Sequence, residues 1–172
     1  MTVIGQVTDS GKRRMLVPGA VLLAFILVAA IWAVRYFSPE ARVRRATAKV
    51  VTLAQKDGSE SPVALGLTAN RFGELLAVNA NLEVAGLGPL GTSRQEIVQV
   101  FVQVRDAFNQ ISLLVPKIST VALEGGSVEA FVEAHYRFTP ASSQGVWDGN
   151  GKATLHWAKG TEGWQIQRAV LR

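Results

Sequence analysis

VEAFVEAHYRF, residues 128–138, alternates for its whole length. Val128, Ala130, Val132, Ala134, Tyr136 and Phe138 fall on one side; Glu129, Glu133, His135 and Arg137 fall on the other. Successive strand side chains point to opposite faces, so this is a long strand with one face on a core and one toward water. Phe131 is the apolar exception in the polar set, and an apolar side chain on a polar face marks a contact surface. Working outward, GKATLHWAKGTEGWQIQRAVLR (151–172) repeats the pattern: Ala153, Leu155 and Trp157 alternate, the 159–163 segment KGTEG turns the chain, and Trp164 to Leu171 returns as a strand. On the other side, residues 112–124 read as a bent or paired strand around Pro116, closed by Gly125-Gly126, and residues 140–151 as a loop or broken strand.

Upstream the period becomes helical. In SRQEIVQVFVQVRDAF (93–108), Ile97, Val100, Phe101, Val104 and Phe108 form an apolar stripe, and Ser93 with Glu96 has capping-box spacing. Gly86–Gly91 reads as a glycine-rich turn before it; its spacing matches no phosphate-binding loop. Residues 79–86 suggest a short strand, and 68–78 a helix burying Phe72, Leu75 and Leu76 after a linker opened by Ser61-Pro62. Ser38-Pro39-Glu40 starts a further helix with Val43, Ala46, Val50, Leu53 and Ala54 on its apolar side, ended by Asp57-Gly58-Ser59. Helices first and strands last predict an α+β domain over 38–172, an antiparallel sheet packed on about three helices.

Met15–Val34 runs uncharged for a length that spans the ~30 Å hydrocarbon core of a bilayer. Lys12, Arg13 and Arg14 flank one end, and Trp32, Tyr36 and Phe37 cluster at the other. We expect a tail over 1–14, a transmembrane helix over 15–37 and the domain beyond it. A cleaved signal ending at Ala30 is the alternative, but the apolar run continues through Val34. The KRR cluster favours a cytoplasmic N-terminus. That places a single-pass protein in the inner (plasma) membrane with its C-terminal domain outside the cytoplasm, although Arg35, Arg42, Arg44, Arg45 and Lys49 follow the span. Zero cysteines exclude disulfides, thiol nucleophiles and cysteine-ligated zinc. The net charge of +5 gathers beside the span, where anionic lipid headgroups explain it without nucleic acid.

The order of elements, with the 93–108 helix leading into the long strand and the Trp-x-Ile hairpin at the end, resembles the nuclear transport factor 2-like (SnoaL-like) superfamily over about 38–172. The resemblance implies a cone: a curved sheet wrapped around helices, with a pocket at its wide end. The tethered layout is similar to VirB8-like components of type IV secretion machines, with a shorter tail and domain. Phe72, Phe101, Phe108, Tyr136 and Trp157 are the candidate lining of such a pocket. Phe131 and Trp147 are candidate interface residues.

Enzymes of the resembled superfamily use an acid, often Asp or His, inside the cone. Here His135 and His156 both share strand faces with polar neighbours, which a solvated sheet face explains. Of the acids, Asp106 and Glu133 are patterned toward solvent, and Glu74 and Glu83 have no assigned face. Nothing has the spacing of a metal or cofactor site. The expectation is a non-enzymatic module of the bacterial cell envelope that uses no cofactor or metal. Its partners would be the lipid bilayer and either a second copy or another envelope protein. A cone holding a small apolar ligand is the alternative.

Overall fold

The computed structural model describes residues 25–142 and 145–172. The chain divides at Ser38 into two units, the second being Pro39–Arg172. In the first, residues 25–37 are helical, with Phe25, Trp32 and Val34 exposed and Trp32 stacked on Tyr36 at 5.1 Å. The N-terminal part of the expected span, residues 15–24, lies outside the described residues, as does the 1–14 tail. Among the described residues no helix is long and apolar enough to cross a membrane.

The second unit is α+β. Its elements are α1 (Pro39–Ala54), β1 (Lys56–Asp57), α2 (Pro62–Gly73), β2 (Leu76–Val84), β3 (Gly88–Gly91), α3 (Arg94–Ala107), β4 (Phe108–Ala122), β5 (Val128–Pro140), β6 (Trp147–Gly160) and β7 (Gly163–Leu171). One seven-stranded sheet has the order β1-β4-β5-β6-β7-β2-β3. Antiparallel pairing runs through β4, β5, β6 and β7, as the alternation in 128–138 and the 151–172 hairpin predict. The pairing of β2 with β7 is parallel, which corrects the all-antiparallel expectation. These strands are joined through α3 and four intervening strands, so no hairpin dictates their relative direction.

Three local readings are also corrected. Ser61-Pro62 starts α2 rather than a linker: Ser61 Oγ accepts from the Ala64 N–H at 3.2 Å, and Pro62 takes the first turn, where no N–H is needed. The Gly86–Gly91 turn includes the short edge strand β3, paired with β2. The 140–151 segment, read as a loop or broken strand, already belongs to β6 from Trp147. The cap of α3 forms as read, with Ser93 Oγ accepting from the Glu96 N–H, while the Glu96 carboxylate accepts from the Thr92 N–H at 2.7 Å.

Val43 and Val51 of α1, Ile97 of α3, Val128, Ala130 and Val132 of β5, Leu155 and Trp157 of β6 and Ile166 of β7 form the core. The inner sheet face therefore carries the even positions of β5, as its alternation requires. The opposite face carries Glu129, Glu133 and His135 with their cross-strand partners.

Candidate functional site

α3 lies across the inner face with Val100, Phe101 and Val104 toward the sheet, while α1 contributes Val50, Val51 and Ala54 and α2 contributes Phe72. Between these helices and Val132, Leu155, Ile166 and Leu82 of the sheet is a cavity of about 300 Å³. Its floor includes Ala153 and Ala169, where small side chains on the middle strands leave space that larger ones would close. Phe72 and Phe101 stack at 4.3 Å with ring planes 12° apart, forming one wall without filling the cavity. Leu90, Val104 and Leu171 also line it and are each about two-fifths exposed. Among the described residues lining the cavity, Asn81 alone is polar. None of the described lining residues carries a carboxylate, imidazole, amine or hydroxyl, so this lining offers dispersion contacts and exclusion of water, with the buried, unpartnered Asn81 Oδ1 as its polar atom.

The remaining candidate pocket residues sit elsewhere. Trp157 is fully buried in the core beneath Val128, its strand partner, and its indole N–H has no hydrogen-bond partner. Tyr136 lies along β6 over Gly149 and Gly151; a Cβ at Gly149 would stand 2.6 Å from the Tyr136 hydroxyl. Phe108 belongs to a second aromatic group at the same end of the sheet, 5.3 Å from both Phe138 and Trp147, with Tyr136 stacked on Phe138 at 5.0 Å. Tyr136 and Trp157 are placed by the register of β5 with β6, whereas Phe108 leaves the α3 stripe because the helix ends at Ala107 and Phe108 begins β4. Trp147 is exposed. Phe131 is half-buried on the outer face, between Ser119 of β4 and Thr154 of β6.

The candidate acids and histidines form cross-strand pairs on that outer face. His135 Nε2 is 2.7 Å from Asp148, whose other oxygen accepts from Arg137 at 3.1 Å. His156 Nε2 is 2.9 Å from Glu129. Lys152 lies 2.7 Å from Glu133, and this hydrogen bond, then the charges of Lys152 and Lys117, hold the Glu133 carboxyl below its ordinary range. Glu83 pairs with Arg168 at 2.8 Å, which raises the guanidinium further. These pairs bridge neighbouring strands, and none lines the cavity. Glu74 instead accepts from Asn70 one helical turn away, and Asp106 is exposed on α3. Among the described residues no cluster of three His, Asp or Glu is placed to hold a metal.

One arrangement escaped sequence reasoning. Arg105 of α3 is buried, with Glu60 at 3.0 Å, and its Nη1 donates to the carbonyls of Leu53, in the last turn of α1, and Gln55, just past its end. Lys56 returns the arrangement, donating to the carbonyls of Arg105 and Phe108 at the end of α3. Arg105 thus caps the carbonyl end of α1, and Lys56, two residues past α1, caps that of α3. The only sequence signal is a positive charge at the end of each helix: Arg105 in the last turn of α3, and Lys56 two residues past α1.

No protein-family model and no curated protein matches the chain. Solved structures do. An NTF2-like protein with a cystatin-like fold from Novosphingobium aromaticivorans is similar at TM-score 0.56 and 14% identity, over 84% of this chain and 86% of that one. A hexachlorocyclohexane dehydrochlorinase (LinA, type 2) is similar at TM-score 0.53 and 8% identity, over 60% of this chain and 70% of that one. An NTF2-like superfamily protein from Salmonella enterica serovar Typhimurium is similar at TM-score 0.50 and 19% identity, over 59% of this chain and 75% of that one. What this chain shares with them is the fold, the α+β cone of the NTF2-like, cystatin-like proteins.

Proposed function

We propose that the domain binds a small apolar molecule inside its cone and works by occupancy, not by turnover. The observation that carries this reading is the cavity of about 300 Å³ whose described lining is apolar except for Asn81 and holds no titratable group. A fold shared with a dehydrochlorinase gives catalysis no support here, because a fold hosts chemistry only where a site supplies the groups. The reading reverses the order of the two expectations drawn from sequence. Packing by Phe72, Phe101 and Phe108 would favour a purely structural interior, but two of those rings wall the cavity and the third lies elsewhere.

The test is titration of the full chain with the uncharged fluorophore N-phenyl-1-naphthylamine, against an Ala153→Phe variant whose new ring occupies the cavity floor. Saturable binding to the wild-type chain, weakened about tenfold or more by the substitution while the fold is kept, is the expected result; tenfold corresponds to ~1.4 kcal/mol. Equal binding by two folded proteins contradicts the reading.

We also propose that the chain is a single-pass anchor with the domain outside the cytoplasm, in the tethered layout similar to VirB8-like components. The uncharged Met15–Val34 run and the basic cluster before it support this. A second reading of the domain is association through the outer sheet face. It is favoured by Phe131, half-buried among Glu129, Glu133 and His135, and its test is loss of crosslinked species in membranes on Phe131→Asp.

A further inference from the structure

β6 carries a run of small residues along the inner sheet face. Its odd positions share that face with the even positions of β5: Val132 pairs with Ala153, Ala134 with Gly151 and Tyr136 with Gly149. Val132 and Ala153 line the cavity. Successive residues on one face of a strand stand ~6.6 Å apart, so Gly151 and Gly149 prolong the cavity floor by about 13 Å beyond Ala153.

Glycine inside a strand leaves no side chain to pack and marks the close approach of another group. Here that group is the Tyr136 ring. A Cβ at Gly149 would stand 2.6 Å from its hydroxyl and 2.7 Å from Cζ, and a Cβ at Gly151 would stand 3.4 Å from Cδ1. The ring therefore lies in the trough that the two glycines leave. Leu113, the neighbour of Tyr136 on β4, lines the cavity, so the ring stands beside the end of that space. Its fixings are light. It stacks on Phe138 at 5.0 Å and rests on the glycines, and neither contact is a hydrogen bond. Tyr136 is half-buried, and rotation between staggered χ1 wells moves the ring without moving the strand.

We infer that Tyr136 is the length stop of the cavity and that the ligands it grades are unbranched aliphatic chains. This rests on the binding of an apolar molecule proposed above. A chain short enough for the cavity of about 300 Å³ leaves the ring in place. A longer one turns the ring aside and lays its far end over Gly151 and Gly149. The trough selects that shape and chemistry. It is a strip about one strand spacing wide, ~4.8 Å, which fits a file of methylenes and not a fused ring system. Its floor of glycines beside Ala134 supplies no side-chain donor or acceptor.

A chain-length series tests this. The full chain in lipid nanodiscs, labelled at Leu and Val methyls and at glycine amides, is titrated with n-hexanol, n-octanol, n-decanol and n-dodecanol. One lipid-to-protein ratio throughout makes partition into lipid equal for every variant. Hexanol should shift the methyls of Val132 and Leu155 and leave the Gly149 and Gly151 amides still; dodecanol should shift both groups. Affinity should rise about fourfold per methylene buried, then flatten at the length where the glycines begin to respond. Tyr136→Ala should carry the rise past that length, tightening dodecanol about tenfold while hexanol changes by less than about twofold. Tyr136→Leu, which keeps an apolar cover on the glycines, should do the same more weakly and replaces the alanine variant if that one fails to fold. Tyr136→Phe keeps the ring and should match the wild type. Should cavity methyls respond while the glycine amides stay silent, with the same length dependence in wild type and both truncated proteins, the length stop is overturned and the binding reading stands; the ring then only covers two glycines. If no alkanol shifts a cavity methyl of the folded protein, the binding reading itself fails and the length stop falls with it.

Discussion

Arg105 follows Phe101 by four residues, and the α3 stripe leads a reader to expect Val104 and Phe108 inward with the charges outward. The structure keeps Phe108 buried and Val104 on the rim of the cavity, but buries the charge as well: Arg105 is 4% exposed. Its guanidinium also lies over the Phe101 ring at 5.4 Å. Its partners are Glu60, forty-five positions upstream, and carbonyls at the end of α1, so no window along α3 contains the reason for its burial. Removing the guanidinium would leave a largely buried carboxylate and uncapped carbonyls. Arg105→Met should therefore destabilise the domain by about 3–5 kcal/mol in urea unfolding. A combined Arg105→Met, Glu60→Gln protein should recover part of that loss, because the stranded charge is then gone. Were the single change nearly neutral, the buried pair would not be part of the domain's stability. The candidate pocket residues divide for a similar reason. Phe72 and Phe101 lie on helices whose 3.6-residue period is legible. The destination of Tyr136 depends on how β5 registers with β6, and that of Phe108 on where α3 ends and β4 pairs with β5.

At the scale of elements, the strand-length alternation of 128–138 and the cap of α3 are legible because both are written in neighbouring residues. The start of β6 is not. Asp148-Gly-Asn-Gly151 has the composition of a turn, yet each of these residues pairs with β5, and Tyr136 covers the two glycines that leave the inner face bare. Gly149→Ala should push the Tyr136 ring out of place and cost about 1–3 kcal/mol, an overpacking penalty. In a Tyr136→Ala background the same change should cost much less; additive effects in this double-mutant cycle would mean that the ring and the glycine do not interact. The α3 cap has a pH signature. The hydrogen bond from the Thr92 backbone, reinforced by its hydroxyl, keeps the Glu96 carboxyl below its ordinary range. A depressed carboxyl pKa contributes stability above the unfolded-state value that is lost as pH falls through the folded one. Glu96→Gln should thus lower the melting temperature at pH 7 and lose that effect near ~pH 3. A difference that persists unchanged at low pH would show that ionisation of Glu96 does not stabilise the helix.

For the molecule as a whole, composition and order of elements were enough for the α+β class, while the cavity was not legible. It exists because Ala153 and Ala169 are brought together across β6 and β7 and roofed by α3, three segments that meet only in the folded sheet. The central claim is that this interior receives an apolar molecule. Its most direct measurement is methyl NMR of the isotope-labelled full chain in nanodiscs, titrated with N-phenyl-1-naphthylamine. The account predicts saturable shifts at the methyls of Leu82, Val100, Val132 and Leu155, with those of Val121 and Val115 on the β4 edge unchanged. Shifts that spread over the outer surface while the cavity methyls stay still would contradict it.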